Sequence, residues 1–291
     1  MSSVDHVLLT RFNLPSGGVE ATIRASEHWL SNRWMLFERY CAPSVSSQSE
    51  KNFSWIIYFD PESPRWLVDK VTEISRNGLF TPIYRASVSR EQLLGDIRGV
   101  AQGTGQRLVT SNLDNDDALA RDFVARIQAV PLPEERTAVF ITHGLIASPA
   151  GLYLRIDRDN AFCTVIESWD DPTTCWSDWH MMLRRSMPAI ELEGAPGWLQ
   201  VVHGENVSNR VRGRLVSPDQ WRSRFADDLA GVRVPGRAQI ARDRVLLAPA
   251  RAVSESARGS VKWLALSVLG KDGMDRLKSA IAARTRPHPP R

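Results

Sequence analysis

Between residues 6 and 113, four short apolar runs alternate with three helical stretches, and this alternation limits the fold more than any other feature. "HVLLTRF" (6–12) reads as a buried strand, followed by a loop holding Pro15, Gly17 and Gly18. "EHWLSNRWMLFERYCAPSV" places Trp29, Leu30, Arg33, Trp34, Phe37 and Tyr40 near one helical stripe. "FSWIIYF" (53–59) is a second strand ending in Asp60-Pro61, and Pro64 opens the helix "PRWLVDKVTEISRNG", which Gly78 stops. "FTPIYRAS" gives a third, weaker strand, "SREQLLGDIRGVA" a third helix with Ser89 as candidate cap, and "RLVTSNL" a fourth strand. Strands spaced by helical crossovers predict an α/β layer with a mostly parallel sheet.

Past residue 130 the pattern changes. "TAVFITHGLIASPAGLYLRID" reads as a hairpin-forming pair of strands around Ser148-Pro149-Ala150-Gly151, and "FCTVIES" as another strand. Residues 169–200 hold Trp169, Trp176, Trp179 and Trp198, a proline-bearing loop and a short helix around "CWSDWHMMLRRS"; "WLQVVHGEN" (198–206) is the last strand expected. Helical readings at 253–269 and 273–284 precede a Pro/Arg tail, "RTRPHPPR", of disorder-prone composition. These shifts predict a domain over 1–215 and a basic, mainly helical extension over 216–291.

The formal charge of +4 hides an asymmetry: residues 205–291 carry 18 Lys and Arg against 8 Asp and Glu. Such a surface suits an anionic membrane or an acidic partner. No nucleic-acid-binding signature accompanies it, so no nucleic acid is expected. "FSWIIYF" and "VKWLALSVLG" are too short to span a bilayer, and "MSSVDHVLLTRFN" lacks a signal-peptide apolar core. Cys41, Cys163 and Cys175 are odd in number and form no CxxC pair, which predicts a reducing cytoplasm without disulfides or a zinc framework.

Directly after the fourth strand come Asp114, Asn115, Asp116 and Asp117. Like charges this close destabilise one another unless a cation or donors neutralise them. One reading is a solvated turn capping a helix that begins near Ala118. The other is a divalent-metal site. Open α/β sheets bind ligands beyond the carboxyl ends of their strands, where Asp60 and the acidic cluster both fall, and that coincidence favours the metal.

"HVLLTRFN", "WIIYFD", "SNLDNDDAL" and "WLQVVHGEN", in this order and spacing over roughly residues 5–215, resemble the bacterial family of rhamnosyl transferases. These are nucleotide-sugar glycosyltransferases of the A-type fold, with a DxD motif. The resemblance implies a Rossmann-like nucleotide-binding sandwich. It further implies metal-dependent transfer of a sugar from a dTDP- or UDP-sugar to a hydroxyl of a glycan or lipid-linked acceptor. By resemblance Asp116 is the direct ligand of Mn²⁺ or Mg²⁺, His203 the second protein ligand, and Asp114 a contact to the ribose or a metal-bound water. Asp117 then supports the metal shell or caps the next helix, the cap being preferred. Asp60 matches the acid that accepts the nucleobase ring N–H, which uracil and thymine both present. Where the family often has Arg, two residues before the first Asp, this chain has Asn112.

Arg11 and Arg98 are candidates for pairing with phosphate. An inverting reaction needs a carboxylate to take the acceptor proton, and "ESWDDPTTCWSDWH" offers Glu167, Asp170, Asp171 and Asp178. Asp171 leads and Asp170 follows, because both sit in the Trp- and Pro-rich loop. Two other readings compete. A haloacid-dehalogenase-type phosphatase would use Asp114 as nucleophile and Asp116 as acid/base, but it wants Thr or Val where Ala118 stands. A non-enzymatic binding protein would work through the basic C-terminal region. An EF-hand fails for want of Gly and Glu at the required places, and no P-loop or GxGxxG occurs. A peripheral position on the inner membrane face suits the glycosyltransferase reading.

Overall fold

Val4, Leu8, Trp55, Ile57, Phe59 and Val109 face one side of a sheet, and Val7, Leu9, Ile56, Tyr58 and Leu108 face the other. That two-residue alternation, apolar on both faces, is what a sheet covered by helices on each side requires. The computed structural model describes residues 4–15, 27–101, 105–203 and 211–253. The sheet has seven strands: β1 (Val4–Arg11), β2 (Ser54–Phe59), β3 (Thr81–Tyr84), β4 (Arg107–Asn112), β6 (Thr137–Ile141), β9 (Thr164–Glu167) and β10 (Ala189–Leu192). Their order is β10-β6-β9-β4-β1-β2-β3, and every pairing is parallel except those of β9. The α/β class with a mostly parallel central sheet is therefore the one found.

Helix α1 (Glu27–Leu36) runs through a π-helical turn (Phe37–Cys41) into α2 (Ala42–Ser46). With α3 (Arg65–Ser75) it covers the first face, burying Leu30, Trp34, Phe37, Val45, Leu67 and Val71. Full burial of such a side chain contributes about 1.5–3 kcal/mol. Helix α4 (Arg90–Val100) covers the second face through Leu93 and Ile97. Ser89 caps it as read: its Oγ accepts from Gln92 N at 3.2 Å, and Gln92 Oε1 accepts from Ser89 N at 3.0 Å. The chain leaves α3 at Gly78, whose φ of +72° a glycine adopts without strain.

Three expectations change. No helix begins at Ala118; instead β5 (Ala118–Leu119) pairs antiparallel with β11 (Trp198–Val201), and α5 (Phe123–Gln128) starts later. The hairpin of β7 (His143–Ser148) and β8 (Gly151–Ile156) forms, but β6 before it belongs to the other sheet, the chain crossing at Thr142. Nor is β11 the last strand, since β12 (Arg214–Val216) pairs with β8 and closes a five-stranded sheet of order β12-β8-β7-β11-β5. Strand β10 was not foreseen. The helical readings at 253–269 and 273–284 lie outside the described residues, apart from Val253.

Beyond β12 the chain stays on this second sheet, with Phe225 and Leu229 buried against Leu145, Leu152 and Leu199. Helix α7 (Arg237–Arg242) leads into a second π-helical turn (Asp243–Leu247). Asp243 anchors it, accepting from Leu215 N at 2.8 Å and pairing with Arg251 at 2.7 Å. The three cysteines are free and buried. Among the described residues no helix is long and apolar enough to cross a membrane.

Candidate active site

The parallel strands β1 and β4 end side by side, and hydrogen bonds lock the acidic turn onto them. Leu113 N donates to Leu9 O at 3.0 Å, while Thr10 Oγ1 donates to Leu113 O at 2.8 Å. Asn115 turns inward, its Nδ2 donating to Phe12 O at 2.7 Å and Arg11 O at 3.2 Å. Asn115, Asp116 and Asp117 are all buried. The turn is therefore solvated only at Asp114, which is exposed, and buried over its other three residues.

The three carboxylates have different surroundings. Asp116 Oδ2 lies 3.2 Å from His203 Nε2, and the same oxygen is paired with Arg33 of α1. Burial works to raise its pKa, but the His203 hydrogen bond and the Arg33 charge outweigh that and hold it below the usual range. Asp114 reaches the surface, yet the protein packed around it, and secondly the Asp116 charge, shift its pKa up. Asp117 is pushed well above the ordinary value by burial and then by its two neighbours. Its Oδ1 accepts from Val201 N at 2.8 Å, so it braces β11 and caps no helix. Its Oδ2 is buried and finds no hydrogen-bond partner among the described residues.

A cavity of about 410 Å³ opens beside this turn, with Arg11, Asn112, Asp114, Trp176, Asp178 and His180 among its walls. Trp176 forms a rigid wall: its Nε1 donates to Asn112 Oδ1 at 2.7 Å, and the Arg11 guanidinium lies 4.0 Å from its ring centre. Asp178 stands just before α6 (His180–Ser186) and accepts from Trp179 N at 2.7 Å. Trp198 and Phe162 also line it and stack with centroids 5.0 Å apart. The cavity joins two arginines, Arg11 and Arg212, three carboxylates, Asp114, Asp157 and Asp178, and flat aromatic faces, a set able to hold an anionic donor and a hydroxyl acceptor.

Residues 5–215 match the family model described as "Putative rhamnosyl transferase". The chain belongs to this family. It is a glycosyltransferase, and the phosphatase and non-enzymatic readings fall away. No curated protein matches it. Among solved structures, S. aureus TarS aligns at 10% identity and a TM-score of 0.41, over 68% of this chain and 36% of TarS. TarS 1–349 in complex with UDP aligns at 11% and 0.41, over 81% and 68% of the two chains. The inositol-1-phosphate CTP transferase from T. maritima aligns at 10% and 0.37, over 80% of this chain and all 100% of its own. At such identities these are likenesses only, and membership rests on the sequence match.

In the transferase, Arg11 and Asp114 meet at the cavity, and Asp116 and His203 meet each other next to it. Asp60 does not line that cavity; at the end of β2 its Oδ1 accepts from Glu62 N at 2.8 Å, capping the turn at Pro61. Arg98 is exposed on α4, 5.9 Å from the Trp169 ring centre. Asp170 and Asp171 are exposed as well and do not line the cavity. The Asp171 carboxylate pairs with Arg90, and its carbonyl accepts from Arg136 at 2.7 Å. Glu167 is buried and taken up by Arg136 Nε at 2.6 Å and Thr174 N at 2.8 Å, which leaves Asp178 as the candidate of that segment that lines the cavity. Arg33 received no role from the sequence, although a charge on an otherwise apolar helical stripe marked it.

Proposed function

We propose that this glycosyltransferase is metal-dependent and moves a sugar, rhamnosyl by the family's description, from a nucleoside-diphosphate donor to a hydroxyl of a glycan or glycolipid. The observation that carries the reading is the 3.2 Å approach of Asp116 Oδ2 and His203 Nε2 beside a cavity lined by Arg11 and Asp114. Neighbouring ligands about 2.1 Å from an octahedral ion stand roughly 3 Å apart, so a small divalent cation suits this pair. Among the described residues no three His, Cys, Asp or Glu side chains group to hold a metal. Two protein ligands nevertheless suit Mg²⁺ or Mn²⁺, which take the rest of their coordination from substrate phosphates and water. When bound, the ion supplies Lewis-acid neutralisation of the leaving diphosphate.

The chain's own residues do the rest. Arg11, its guanidinium 4.0 Å from the Trp176 ring centre, offers a planar cation to a phosphate. Asp114, at the cavity edge, accepts from a ribose hydroxyl. Asp178 takes the acceptor's proton, a role it fits better than Asp171 or Asp170 because it faces the cavity and they do not. Peripheral contact with an anionic membrane is supported by exposed Val245, Leu246 and Leu247 beside Arg242 and Arg244. Thermal shift with UDP and dTDP, with and without Mn²⁺, tests the reading. Stabilisation only when metal and nucleotide are both present is expected; equal shifts without metal would overturn it.

A further inference from the structure

The Asp116 oxygen that touches His203 already carries a cation. Arg33 Nη1 pairs with Asp116 Oδ2 and also donates to Asn115 Oδ1 at 3.4 Å. Its guanidinium is backed by Trp29, 4.9 Å from the ring centre. The pair is largely out of water, with side-chain exposures of 13% for Arg33 and 7% for Asp116. Asp114 lines the cavity, whereas Asp116, His203 and Arg33 do not. An arginine from α1 thus lies over the one carboxylate that a dication would need. A guanidinium and a dication cannot share one carboxylate oxygen without strong repulsion.

We propose that Arg33 is the resident counter-cation of the metal position: guanidinium and dication exclude each other at Asp116, so the site loads only when Arg33 leaves it. This rests on the metal-dependent reading above and adds to it a residue that sets metal affinity. Arg33 keeps the buried Asp116 neutralised before loading. Metal affinity in the free enzyme is held down by the exchange, and a donor diphosphate offers the displaced guanidinium a new anion.

Calorimetric Mn²⁺ binding to the full chain tests this without recourse to activity. Arg33→Gln is expected to bind Mn²⁺ about tenfold more tightly than the wild type, and Arg33→Lys, which keeps the charge, within about threefold of it. Asp116→Asn should bind none. An unchanged or weaker affinity in Arg33→Gln, with the wild type binding metal, overturns the exchange and leaves the metal reading standing. No Mn²⁺ binding by any variant, even with UDP present, overturns both. Should Arg33→Gln fail to fold, the wild type still decides: the Arg33 Nε–H resonance in ¹⁵N NMR should shift as Mg²⁺ is added. A resonance unmoved at saturating Mg²⁺ contradicts the exchange.

Discussion

Asp117 accepts the backbone N–H of Val201 at 2.8 Å, which ties the acidic turn to the strand leading into His203. Asp117→Ala would leave that buried N–H unsatisfied, costing about 1–3 kcal/mol in urea unfolding. Asp117→Asn keeps an acceptor and should lose less. Equal losses for the two variants would show that the bond contributes nothing.

His6 provides the pH signature. It is buried on β1, with Nε2 at 2.9 Å from Ser111 Oγ, and burial lowers its pKa from 6.5 to about 3. The unfolded chain takes up a proton below 6.5 that the folded chain refuses. Stability is therefore complete above 6.5 and falls as pH drops toward 3, by up to about 1.4 kcal/mol per pH unit. Urea unfolding of His6→Gln across this window should show one proton less of linkage; an unchanged slope would refute the assignment.

Gly144 leaves room for an indole. A Cβ there would lie 2.0 Å from Trp198 Cδ2, and Trp198 is held by its own Nε1 donating to Ile141 O at 2.8 Å. Gly144→Ala should cost about 1–3 kcal/mol and lower Tm by several degrees in circular dichroism. A wild-type Tm would mean that the two strands can separate without penalty.

For the proton acceptor, two substitutions divide the candidates. Asp178→Asn should lower turnover by about 100-fold or more while donor binding persists. Asp171→Asn, which alters an exposed ion pair with Arg90, should stay near the wild type. The opposite pattern would return the role to Asp171.

Much of the fold was legible because strand and helix periods in the first half are strong and local. Pro64, Gly78 and the Ser89 capping box mark helix ends where the structure has them. Ala118 misled for a physical reason. "ALA" favours a helix locally, but its backbone is taken by pairing of Ala118 with Leu199 and Leu119 with Trp198, partners some 80 residues away. The acidic turn announced itself, yet its divided roles did not. Asp117 had to meet Val201, and Asp116 had to meet Arg33, before they differed. Asp171 and Asp178 stand in one loop, whose backbone turns with positive φ at Asp171 and Thr174, and sequence spacing does not show which of the two lines the cavity.

The π-helical turn at Phe37–Cys41 has a mechanical consequence. One widened turn lets a single rod grip the acidic loop twice: Arg33 holds Asp116, and the Cys41 thiol donates to Asp114 O at 3.6 Å. Shortening that turn by one residue would swing one grip away from the other by about 100°. The helix and the loop beneath it are thus geared together, and motion in either must be felt in both.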